Sequence, residues 1–130
     1  MNKIILICLL IIFSSLSAQD FSCNYYAYIN HASGEKKLFT KSELDNAQPF
    51  NFTLDSNTLL VDLPSGNKEK FVFKDIKGGQ KRYFSHNNIF LRTLTSSTTG
   101  DILVNKRGDT MWFMDTNFNG KLMTTVFICR

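Results

Sequence analysis

Two prolines, one tryptophan and two histidines are all that 130 residues hold of those types. With so little proline there is no proline-rich linker and no polyproline segment. His31 and His86 are too few for a zinc site without carboxylate help. No segment carries apolar residues at helical period over the length of a helix, which argues against an α-rich fold. No Lys/Arg run exceeds two, so the basic excess is spread out and makes no nucleic-acid footprint. A nucleophile elbow, H-E-x-x-H, a phosphate-cradling loop and C-x-x-C are all missing, so none of the chemistries that depend on them is signalled.

What is present begins at the N-terminus. Lys3 precedes an unbroken apolar run from Ile4 to Phe13, and Ser14-Ser15-Leu16-Ser17-Ala18 supplies small residues for cleavage. That is the three-part pattern of a secretory signal, and it predicts removal of residues 1–18. The run is also well short of the ~20 residues that span a bilayer. Ile7 stands before Cys8 where lipoprotein processing needs a small residue. The reading is one β-domain over residues 19–130, secreted or periplasmic, with no membrane span in the mature form. Without Lys3, 14 basic side chains face 11 acidic ones, a charge of +3, enough for solubility and mild attraction to anionic surfaces. Cys8 leaves with the signal, so Cys23 and Cys129 remain. In an oxidising compartment an isolated pair is most simply a disulfide, and this one would make the first and last strands neighbours.

Between those cysteines the chain is a succession of short runs rich in aromatic and β-branched residues, divided by turn residues. Phe50-Asn51-Phe52-Thr53-Leu54 alternates cleanly, whereas Tyr25 to Ile29 alternates weakly. Gly78-Gly79 and Asn119-Gly120 are two-residue hairpin signals. Ser42 to Asp45 could make one helical turn capped by Ser42. Ile89 to Leu94, Ile102 to Val104, Met111 to Asp115 and Leu122 to Ile128 read as strands. Nine or ten short strands with no long helix predict an all-β antiparallel meander. A closed or nearly closed barrel is preferred to a sandwich, because neighbouring ends abolish the sheet edge.

Few motifs bear on chemistry. Asp115, Asn117 and Asn119, followed by Gly120, match the first half of a calcium loop. The twelfth position is Val126 where a bidentate Glu is needed, so a polar hairpin is expected and no metal. Arg107-Gly108-Asp109 reads as turn chemistry. S-x-x-K occurs twice, at Ser33 to Lys36 and Ser65 to Lys68, which shows how little that pattern means here. Each histidine lies in a turn region beside Asn and reads as a solvated loop residue, and with both cysteines committed to a bridge no Cys/His pair remains, so no catalytic residue and no cofactor is assigned. Some strands are apolar on both faces, and extra outward apolar surface can serve a partner or line a ligand cavity. Phe71, Val72, Phe73, Met111, Trp112 and Met114 are therefore the candidate partner face.

The glycine and tryptophan of a lipocalin first strand are missing, since the only tryptophan is Trp112. A signal, an early cysteine and a second one at the very end form a layout similar to that of the periplasmic inhibitors of c-type lysozyme, but their serine-glycine-tyrosine recognition loop is not found. The expectation is a non-catalytic domain that binds another protein, of inhibitor, immunity or envelope-accessory type. The alternative is a carrier of a small apolar ligand inside an aromatic-lined barrel. A third is a small hydrolase using the loop carboxylates Asp101, Asp109 and Asp115. The sequence leaves the oligomeric state open.

Overall fold

A computed structural model describes residues 18–130, so all but the last residue of the expected signal peptide lies outside the described residues. Nine strands follow in order: β1 (Gln19–Asn30), β2 (Lys36–Leu38), β3 (Phe50–Asp55), β4 (Thr58–Asp62), β5 (Lys68–Lys77), β6 (Gln80–Phe84), β7 (Ile89–Leu94), β8 (Thr110–Phe118) and β9 (Lys121–Cys129). One short helix, α1 (Lys41–Asp45), sits between β2 and β3. Strands β3 to β9 form a meander, β1 pairs with both β3 and β9, and every pairing is antiparallel. The result is a closed eight-stranded barrel with β2 as an extra strand on β1.

Closure rests on β1, whose length serves two neighbours on one side. Gln19 to Cys23 pair with β3, and Ala27 to Ile29 pair with β2. On its other side Cys23 lies directly opposite Cys129, and the two are joined by a disulfide with Cα atoms 4.0 Å apart. The neighbouring Ser22 and Arg130 exchange both backbone hydrogen bonds, at 2.9 Å each. The cysteines are thus a non-hydrogen-bonded pair, the position where facing Cα atoms come closest, at about 4.5 Å.

Two bulges decide which side chains face out. Tyr25 is opposite Phe127 and Ala27 opposite Val126, so Tyr26 is an extra residue. Phe21, Cys23 and Tyr25 therefore face the core, while Ala27 and Ile29 face outward with Val126 and Thr124. The weak alternation of Tyr25 to Ile29 is the trace of that reversal. In β5, Phe73 is opposite Tyr83 and Asp75 opposite Arg82, leaving Lys74 unpaired. Without the extra residue Asp75 would follow Phe71 and Phe73 inward; with it, the carboxylate stands on the outer wall.

The interior is filled by rings. Phe127 meets Phe50 at 5.0 Å and Phe52 at 5.5 Å, and Trp112 meets Phe52 at 5.8 Å and Tyr83 at 5.7 Å. Eight strands leave a bore about wide enough for side chains, and here aromatics occupy it.

Two local expectations are corrected. Thr40, not Ser42, caps α1: its hydroxyl accepts from the Glu43 amide at 3.3 Å, while Glu43 Oε1 accepts from the Thr40 amide at 3.3 Å. The reciprocal box needs Glu three residues after the cap, and only Thr40 has it. Ile102 to Val104 is not a strand. Only Ile102 makes a bridge, to Thr95, because tight turns at Ser96–Asp101 and Asn105–Asp109 consume the backbone groups on either side.

Candidate binding face on the outer wall

The hairpin of β6 and β7 sets the geometry. Its register places Phe84 opposite Phe90 and Arg82 opposite Arg92, and all four side chains point outward because Tyr83 and Leu91 between them are buried inward. Neighbouring strands extend these pairs into two rows. One runs Val72, Phe84, Phe90, Asp115, Thr124; the other runs Asp75, Arg82, Arg92, Phe113, Val126.

Two arginines directly opposite one another repel, and a carboxylate on each flank offsets this. Arg82 Nε and Nη2 donate to the two oxygens of Asp75, both at 2.6 Å. That fork holds the Asp75 carboxyl below the usual carboxylate range, with Lys74 and Lys77 adding to the effect, and raises the Arg82 guanidinium. Arg92 Nε donates to Asp115 Oδ2 at 2.6 Å and its Nη1 to Gln80 Oε1 at 3.1 Å. Its guanidinium carbon lies 4.7 Å from the centre of the Phe113 ring.

Behind Asp115 the network continues to Thr124 and His31. The Thr124 hydroxyl donates to Asp115 Oδ1 at 2.6 Å, and His31 Nε2 is 2.8 Å from the same hydroxyl oxygen. Because the single hydroxyl proton goes to the carboxylate, His31 Nε2 is the donor of the second bond. A nucleophile relay needs the reverse order, with imidazole accepting the hydroxyl proton. Thr124 is moreover fully buried. The arrangement braces the wall.

The aromatic pair forms a ridge. Phe84 and Phe90 have ring centres 4.8 Å apart, and Lys74 Nζ lies 5.3 Å from the Phe90 centre. On one side of the ridge is a hollow of about 600 Å³, lined by Lys70, Val72, Phe73, Lys74, Phe84 and His86 with no carboxylate among them. On the other is a hollow of about 480 Å³, where Lys77, Gln80, Arg82, Arg92 and Leu122 line the space beside Phe90, together with His31 and the Arg92-paired Asp115.

Of the six residues proposed from sequence as a partner face, Val72 is 48% exposed and lies on this wall. Phe71 and Trp112 point into the barrel and are fully buried, so they offer nothing to a partner. Phe73 and Met114 are half-buried against the core, and Met111 is half-buried opposite Ile128. Asp115 and Asn117 lie in β8, and Asn119-Gly120 forms the two-residue turn into β9 at φ 52° and 79°. The Asp115 oxygens are occupied by Arg92 and Thr124. Asp109 is buried and accepts from Arg130 Nε at 3.0 Å, so the Arg107-Gly108-Asp109 tip does not present its acid. Asp101, Asp109 and Asp115 line three separate depressions.

Sequence reasoning missed Phe84, Phe90, Arg82 and Arg92. A signal was available: Arg82-Tyr83-Phe84 and Phe90-Leu91-Arg92 mirror each other about the intervening turn, and a hairpin there brings like residues face to face. Compared with known proteins, the chain matches no family model, no curated protein and no solved structure. The disulfide is of the kind that forms and persists in oxidising compartments, and no helix among the described residues is long and apolar enough to cross a membrane.

Proposed function

We propose that this is an exported, non-catalytic domain that engages another protein through the outer wall of β5, β6 and β7. The observation that carries the reading is the apolar ridge of Phe84 and Phe90 beside exposed Val72, bordered by Lys70, Lys74 and His86. Burying such surface contributes roughly 25 cal/mol per Å² before association costs, and aromatic anchors inside a polar rim are the usual anatomy of a protein contact. The signal pattern at residues 1–18 and the Cys23–Cys129 bridge support a secreted or periplasmic location.

The carrier alternative has less support, because Trp112, Tyr83, Phe52 and Phe127 fill the space an apolar cargo would need. What remains for it is one barrel mouth, a hollow of about 570 Å³ beside Phe21, Leu54 and Ile102.

The test is capture of a partner from the compartment's extract with immobilised wild type, Val72→Asp and Val104→Asp. Val104 is 57% exposed on the β7–β8 connection, away from the ridge. The expected result is one species retained by wild type and Val104→Asp and lost with Val72→Asp. Equal retention by all three sinks the reading.

A further inference from the structure

We propose that the smaller hollow beside Arg82 is a seat for a carboxylate carried next to an apolar group, as an acidic and an apolar side chain side by side on a protein surface would present them. The identity of the partner rests on the reading above; the chemistry of the seat rests on its own donors. Arg82 spends Nε and Nη2 on Asp75, and its Nη1 has no hydrogen bond among the described residues. Lys77 lines the same hollow and forms no ion pair among them. Both carboxylates nearby are already matched, Asp75 by Arg82 and Asp115 by Arg92. Lys74 and Lys77 are therefore local positive excess, and an incoming carboxylate meets no free anion.

Preorganisation favours the same occupant. The fork to Asp75 fixes the plane of the Arg82 guanidinium, so less side-chain freedom is lost when Nη1 takes a further acceptor. Phe90 lines the hollow, and Leu122 on its rim is 42% exposed. A bound group thus finds apolar surface within reach of the charged donors. A bare inorganic anion would use only the donors, and an uncharged apolar group only Phe90 and Leu122.

The probes are N-acetyl-Phe-Glu-amide and N-acetyl-Phe-Gln-amide, equal in shape and different by one charge. They are titrated into the ¹⁵N-labelled protein, recovered with its disulfide intact, and followed by amide and Arg Nε–H shifts. The expected result is saturable movement at Lys77, Arg82 and Phe90, with the Glu peptide binding about tenfold more tightly than the Gln peptide, as a charge-assisted contact implies. Lys77→Gln, an exposed substitution that breaks no pair, should weaken the Glu peptide about fivefold and leave the Gln peptide unchanged. Equal binding of the two peptides, or an unaltered Glu affinity in Lys77→Gln, overturns the seat. If Val72→Asp abolishes partner capture while the peptides bind alike, this inference fails and the partner reading stands. Discrimination between the peptides with Val72-independent capture gives the opposite outcome.

Discussion

Tyr83 and Trp112 sit at the centre of the barrel, and each hides a polar atom without a partner among the described residues: the phenol oxygen and the indole nitrogen. A buried hydroxyl that makes no hydrogen bond costs about 1–3 kcal/mol relative to one left in water. Tyr83→Phe should therefore leave the fold as stable as wild type or more so, by about 1 kcal/mol in urea denaturation at pH 7. A loss of that size would instead reveal a bound water serving the hydroxyl. Burial also pushes the Tyr83 phenol from 10.0 up to about 12. Above pH 10 the unfolded chain releases this proton while the folded chain keeps it, so stability falls as pH rises from 10 toward 12, by at most about 3 kcal/mol. The phenylalanine variant should lose less over that window, and paired denaturation curves would show it. None of this was legible in the sequence, where Lys81-Arg82-Tyr83-Phe84 does not say whether the phenol reaches water.

At the scale of elements, regular strands were legible and bulged ones were not. Clean alternation identified Phe50 to Leu54, and Asn-Gly identified the β8–β9 hairpin, because turn chemistry and period 2 are local properties. The reversals at Tyr26 and Lys74 are set by partners distant in sequence, so Tyr25 to Ile29 merely looked ambiguous. Strands apolar on both faces misdirected the candidate face in another way: Phe71 and Val72 are adjacent, yet one is core and the other surface. The β5 bulge has a consequence that deletion can test. Removing Lys74 leaves Phe73 opposite Tyr83 and Asp75 opposite Arg82 in a regular ladder, so stability should stay within about 1–2 kcal/mol of wild type. Removing Val72 moves Phe71 to the outer wall and Lys70 into the core, and the chain should not fold. Circular dichroism with thermal melting separates the two outcomes; equal damage from both deletions would mean the bulge does not set the register.

For the molecule as a whole, the cysteines and the strand count were enough to foresee an all-β barrel with neighbouring ends, since a disulfide between the first and last strands requires them to lie side by side. The proposed binding face was not foreseeable in the same way, because it arises from three strands in register. Replacing both Cys23 and Cys129 by Ser should lower stability by about 2–5 kcal/mol at constant urea m-value, read from denaturation midpoints, while the barrel pairing persists. A rise in m-value would show that the bridge also compacts the denatured chain. The same closure orders events in time. The first strand leaves the ribosome long before its mate, since 106 positions separate the two cysteines. Contact order favours the consecutive hairpins from β3 to β9 first, since they need only nearby chain, with the pairing of β1 to β9 coming last. The oxidant that joins the cysteines then seals only a chain that already carries both: until Cys129 has been made, the first strand has no mate to be locked to.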